Sequence, residues 1–263
     1  MFPSNIILND LRECFKNNHV WLLLAFYDIK TRYRRTVIGP FWLTLGTAIT
    51  ILGMGLVWGS IFGTSLKEFL PYVATGMVIW IFIASVLNEG CSVFISQSMI
   101  IRNVRVSYFT HVMTMISRNL IIMIHNAIVI IAIFILCNKN IHFEILWVFP
   151  GIILLILNGF WVSIFLGILS TRYRDITPIV TNLLTLIMMA TPIMWKADMI
   201  QGSRRAIVNF NPFAHMISIV RAPLLGESPS FESYLVVIGI LLVGLPISLS
   251  LYKKYINRIV FWM

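Results

Sequence analysis

Acidic side chains are scarce in this chain, ten Asp and Glu in 263 residues against 20 Lys and Arg. Charge of either sign fills 11% of positions, where soluble globular proteins carry about 25%. With 59% apolar residues and a mean hydropathy of +0.89, an ordinary soluble domain is excluded and the chain is placed in a membrane. Also missing are a GxxxxGKS/T phosphate loop, HExxH, GxSxG and any clustered carboxylates. No ATPase or hydrolase chemistry is therefore visible, and energy for movement against a gradient has to come from a partner or an ion gradient. No Asp or Glu lies in the middle of an apolar run, Glu89 standing at the inner end of one, which argues against proton coupling.

Cysteine is sparse as well. Cys14, Cys91 and Cys137 are odd in number and far apart, so neither a disulfide framework nor a metal site is implied. The first residues lack a short apolar core followed by a small-residue cleavage site, and no removable signal peptide is expected. The net charge of +10 does not point to nucleic acid, because the cations stand in small groups beside apolar runs, as topology signals and headgroup contacts do.

What the chain has in abundance is apolar runs of bilayer length. Six spans are expected, Val37 to Phe62, Phe69 to Asn88, Leu120 to Cys137, Ile145 to Leu169, Ile176 to Trp195 and Tyr234 to Tyr252. They leave only short polar intervals, so residues 1–263 read as one all-α integral membrane domain. Ahead of the first span, within residues 1–36, positions 5 to 27 interleave Ile6, Ile7, Leu8, Leu11 and Phe15 with polar side chains. That pattern predicts an amphipathic helix in the membrane interface.

The joint between this segment and the first span runs from Asp28 to Trp42. It holds Lys30, Arg32, Arg34 and Arg35 directly before Pro40. Placing both termini in the cytoplasm leaves 14 of the 20 Lys and Arg inside, as the positive-inside rule asks.

Two intervals are not simple loops. Residues 90–119, on the inner side, alternate Ile100, Ile101, Val104 and Val106 with Arg102, Asn103 and Arg105, which predicts a short amphipathic helix against the membrane surface or a partner. Residues 196–233, on the outer side, contain two apolar pieces broken at Asn211-Pro212 and Pro223. Too short to span and too apolar for a solvated loop, they predict a re-entrant helical pair at a cavity mouth.

Small residues spaced by four, Gly55, Gly59 and Gly63 and then Gly159, Ser163, Gly167 and Thr171, predict close helix contacts. Aromatic residues at span ends, Trp42, Trp58, Tyr72, Trp80, Trp161 and Trp195 among them, are read as interface anchors. If the chain forms a sugar conduit, Trp42, Trp58 and Trp195 are the candidates to line it. His125, Asn126, Asn158 and Asn182 would be costly against lipid and are expected to face the interior or a watered path.

The order of these features resembles the membrane subunit of ABC-2 type polysaccharide exporters. The resemblance covers essentially the whole chain and rests on four stretches, Asp28 to Trp42, Thr171-Arg172-Tyr173-Arg174-Asp175-Ile176, Thr191-Pro192-Ile193-Met194-Trp195 and Asn211-Pro212-Phe213. Leu70 to Gly76 and Arg221 to Gly226 look more like the O-antigen branch than the capsule branch. The resemblance implies a homodimer of six-span subunits in a bacterial cytoplasmic membrane. Two copies of a separate ATPase subunit would power it, with ATP and magnesium bound there and no cofactor on this chain.

It also implies a cytoplasmic coupling helix between spans two and three, where Arg102, Arg105 and Tyr108 would contact the ATPase. The cargo would be a polysaccharide on undecaprenyl diphosphate, and Arg32, Arg34 and Arg35 would attract the diphosphate, since guanidinium groups bind such oxygens in bidentate fashion. Two other functions fit the pattern less well. One is an ABC-2 exporter of capsule, teichoic acid, a drug or another lipid. The other is a glycan-modifying membrane enzyme, for which no nucleophile and base are found.

Overall fold

The computed structural model describes residues 6–34, 36–104, 106–199 and 202–263, the side chains of residues 203 and 204 aside. Every regular element among them is helical. The N-terminal segment forms α1 (Ile6–Lys16) and α2 (Asn18–Tyr33). The long helices are α3 (Phe41–Phe62), α4 (Leu66–Ser96), α6 (Tyr108–Leu136), α7 (Val148–Arg172) and α11 (Phe231–Trp262). Shorter ones are α5 (Ser98–Asn103), α8 (Ile176–Ala190), α9 (Ala206–Asn209) and α10 (Pro212–Leu224).

Local chemistry sets the ends. Gly39 has φ +62° and Pro40 follows at the start of α3, because glycine tolerates the left-handed turn and proline's fixed φ suits a first helical position. The same helix stops at Gly63, also left-handed, whose N–H reaches back to Gly59 and Ser60 carbonyls. Asn211 caps α10 by accepting from the Phe213 N–H with Pro212 behind it.

Helix α4 is the axis of the bundle. It packs on α3, α6, α7, α8 and α10 and is the most buried of the long helices, whereas α3 and α11 are mostly exposed. Close approach along α4 depends on missing side chains. A Cβ at Gly90 would stand 2.9 Å from Ser163 Oγ, one at Gly159 3.0 Å from Val86, and one at Gly167 2.9 Å from Phe94. The Gly159, Ser163, Gly167 ladder thus seats α7 on α4. Gly55 and Gly59 face Leu70 and Leu66, so the first ladder seats α3 on α4, while Gly63 serves as the cap.

Among the described residues five helices are long and apolar enough to cross a membrane, and α8 is a shorter apolar helix. The span expected to reach Trp195 ends at Ala190. Thr191 precedes Pro192 and is extended, as the proline ring disfavours a helical neighbour. The last helix is longer than expected at both ends. So is α4, whereas α6 begins twelve residues earlier than expected and ends at Leu136; the two leave only residues 97–107 between them, with α5 inside. The expected single N-terminal helix breaks at Asn17, and its second half carries the cationic run through Arg32 in helical form. In the outer interval α9 is one turn long and α10 about 20 Å. Trp80 is not an interface anchor: it is buried edge-on against Phe213.

Gly90→Leu is expected to lower the stability of the purified protein by about 1–3 kcal/mol or more, because the Ser163 backbone has no room to yield. Gly239→Ala, where nothing lies within 4 Å, is expected to be neutral. Thermal unfolding in detergent followed by size exclusion checks the pair; equal behaviour of the two variants would contradict the packing account.

Candidate functional site

Two carboxylates meet one arginine where the C-terminal parts of α2 and α4 adjoin the N-terminal part of α6. Arg118 Nη1 on α6 pairs with Asp28 Oδ2 on α2 at 2.6 Å, and Nη2 pairs with Glu89 Oε2 on α4 at 2.7 Å. Asn119 Nδ2 donates to the same Glu89 oxygen at 2.6 Å and to the Met115 carbonyl at 3.0 Å. The Arg118 side chain is 13% exposed, Glu89 28% and Asp28 38%. These are the two salt bridges among the described residues.

A polar cleft of about 530 Å³ surrounds the pair, with Ser92, Gln97, His111 and Thr114 in its walls and Arg32 at its rim. Asp28 and Arg32 are one helical turn apart on α2 and so share a face. Arg118 is consumed by two carboxylates, which leaves the cluster one charge negative. Arg32 is exposed and enters no ion pair among the described residues. Buried His111 Nε2 and Arg118 Nε have no partner. The cleft presents one exposed guanidinium, Arg32, beside a cluster that is one charge negative, an arrangement that can hold a polar anionic head only at the Arg32 side.

The residues expected to act together are distributed differently. Arg32 lines the cleft, Arg34 is exposed beyond it, and Arg35 lies outside the described residues. Arg102 Nη2 on α5 donates to the Met263 carbonyl at 2.5 Å, tying the short helix to the end of α11. Tyr108 is half-buried, edge-on to Phe94 and Tyr252, so it is a packing residue at the root of α6. Arg105 lies outside the described residues. The exposed side chains of residues 98–104 are Met99, Ile100, Arg102, Asn103 and Val104.

Trp42 and Trp58 are on one helix, sixteen positions and thus about 24 Å apart; Trp42 is exposed and Trp58 stacks on Phe62 at 5.6 Å. Trp195, beyond α8, donates to the Met189 carbonyl at 3.2 Å. The three do not form one site within a protomer. Asn158 is buried and accepts from Trp161 Nε1 at 3.0 Å, facing the interior as expected, whereas Asn182 on α8 is exposed.

A second cluster, near the start of α4, holds the break after α8. Arg221 on α10 is buried. Its Nη1 donates to the Pro192 carbonyl at 2.6 Å, and its guanidinium lies 4.1 Å from the centre of the Tyr72 ring. Tyr72 Oη donates to the Pro192 and Trp195 carbonyls at 3.1 and 3.2 Å, and Asn211 Nδ2 donates to Thr191 Oγ1 at 2.9 Å. These bonds replace those that Pro192 denies the helix.

A family model described as ABC-2 type transporter matches residues 19–225, a range that contains both clusters. Two O-antigen export system permease proteins RfbA of Klebsiella pneumoniae are 25% and 23% identical to the chain, each over 87% of it and over 90% and 89% of their own lengths. The O-antigen export system permease protein RfbA of Myxococcus xanthus is 21% identical over 81% of the chain and 82% of its own length.

Arg118→Gln is expected to destabilise the protein by about 3–5 kcal/mol, because Glu89 is left as an uncompensated, largely buried charge. Asp28→Asn removes the more exposed partner and is expected to cost about 1 kcal/mol or less. Denaturation midpoints of the two variants check this order, and a larger loss for Asp28→Asn would reverse the assignment.

Proposed function

The chain belongs to the ABC-2 type transporter family, and from that premise we propose that it is the channel-forming permease subunit of an ATP-driven exporter of undecaprenyl-diphosphate-linked, O-antigen-type polysaccharide. The observation that carries the reading is the similarity to O-antigen export permeases over nearly their whole length. The inner cleft, with Arg32 unpaired at its rim, gives that reading a place for the diphosphate.

In this proposal the subunit pairs with a second copy and two copies of a separate ATPase in a bacterial cytoplasmic membrane, both termini inside. Helix α8, extended by residues 191–195, completes six crossings. Its exposed Asn182 and Thr185 are expensive against lipid and suit a watered path between the two copies. Trp42, Trp58 and Trp195 line that path when both protomers contribute. Met99, Ile100, Arg102 and Val104 meet the ATPase, so its stroke reaches α4, α6 and, through the Met263 contact, α11.

Deleting the protein is expected to abolish surface polysaccharide, and affinity capture is expected to retain an ATPase subunit; intact polysaccharide in the deletion strain would end this reading. Replacing Arg32, Arg34 and Arg35 with Gln is expected to cut export about tenfold or more, since charge-assisted hydrogen bonds contribute about 1.5–3 kcal/mol each. Undiminished export at normal membrane insertion would remove the diphosphate role.

A further inference from the structure

One face of α6 changes character along its length. Thr114 and Arg118 lie in the polar cleft, and steps of three and four residues lead from them through His125 to Ile128, Val129, Ala132 and Leu136, positions that share a face. The second half of this stripe forms one wall of a groove of about 500 Å³. Its other wall is α3, with Phe41, Leu45, Ala48 and Leu52. Thr44 is the one polar side chain in the lining, and its hydroxyl is buried without a partner. Phe41 meets His125 edge-on at 6.2 Å, marking the junction between cleft and groove. From Arg118 to Ile128 the rise is about 15 Å.

We propose that this groove holds the hydrocarbon tail of the lipid carrier while the diphosphate sits at Arg32 in the cleft. The inference rests on the lipid-linked substrate proposed above and names where its apolar part lies. A molecule with an anionic head and a long apolar chain matches both halves of the stripe in the order in which they occur. The unpaired guanidinium of Arg32 supplies the charge complement at one end, and the apolar walls exclude a polar chain from the other. The occupant is lipid rather than glycan because a sugar chain in the groove would leave its hydroxyls unpaired. Phe41, Leu45, Leu52, Ile128 and Leu136 remain exposed, so the groove opens sideways and a tail can enter from the bilayer without crossing the protein.

The test places a photoreactive benzoylphenylalanine at Leu45, at Ala132 or at Leu242, the last being an exposed position on α11. Each full-length permease is assembled with its ATPase in vesicles of phosphatidylethanolamine and phosphatidylglycerol, and the probe is undecaprenyl diphosphate carrying one radiolabelled sugar. Labelling at 45 and 132 is expected to exceed that at 242 by about tenfold, a preference of about 1.4 kcal/mol. Unlabelled undecaprenyl diphosphate is expected to chase it and excess phosphatidylglycerol is not.

Equal labelling at all three positions, capture of phosphatidylglycerol in preference to the probe, or cross-linking of two permease copies through 45 or 132 would overturn the groove assignment. If the probe stimulates ATP hydrolysis yet labels only elsewhere, the groove fails and the substrate reading stands; if it neither labels nor stimulates, the substrate reading fails first. As a second variant, Ala132→Trp fills the groove from an exposed position. It is expected to reduce export about tenfold at unchanged thermal stability, and unchanged export with the groove filled would also overturn the proposal.

Discussion

The bond set around Arg118 is the constraint on which the inner half of the molecule depends. Three charges at the end of a membrane bundle are costly singly, and they persist because each satisfies another. Glu89 is additionally held by Asn119, so α4 and α6 are joined by a second polar contact that does not involve α2. Asp28 then brings in α2, and Arg32 follows one turn later. Helix α2 also packs along α6 and buries Ala25 and Ile29, and the ion pair with Arg118 adds the polar contact that fixes its cationic end beside the cleft.

The outer end solves a different problem with similar means. Pro192 follows the end of α8 and has no N–H to continue its ladder. Arg221, Tyr72 and Asn211 supply donors to that break. The guanidinium stands over an aromatic ring, which returns part of the desolvation cost. Between the two clusters α4 runs as an apolar column, held against α7 by glycines that admit no Cβ. The bundle therefore has a tightly packed core with a polar joint at each end.

Much of this was legible in the residues. Apolar runs located the long helices because hydrocarbon thickness fixes their length, and the four-residue ladders marked the contacts of α7 and α3 with α4. Helix ends were less legible. Runs such as Cys91 to Ser96 and Tyr108 to Asn119 mix polar and apolar residues, and their helical state is set by packing on neighbouring helices. The cleft was half legible. Arg32 stood out by its cationic company, but Arg118 looked like one more inner charge, since its partners lie 90 and 29 positions away. Opposite charges at the inner ends of two adjacent runs, Glu89 and Arg118-Asn119, were the signal that could have revealed it. The partners of Arg221 were hidden in the same way, since Tyr72 and Pro192 lie far from it along the chain.

The most direct measurement is a spin-label distance between Phe26 on α2 and Ile124 on α6, both exposed, in lipid nanodiscs. The account predicts one narrow distribution in the otherwise unchanged chain and a broad, displaced one in Arg118→Gln, as α2 loses its tie to the bundle. An unaltered narrow distribution in Arg118→Gln would contradict it, because α2 would then be held by something other than the Arg118 junction.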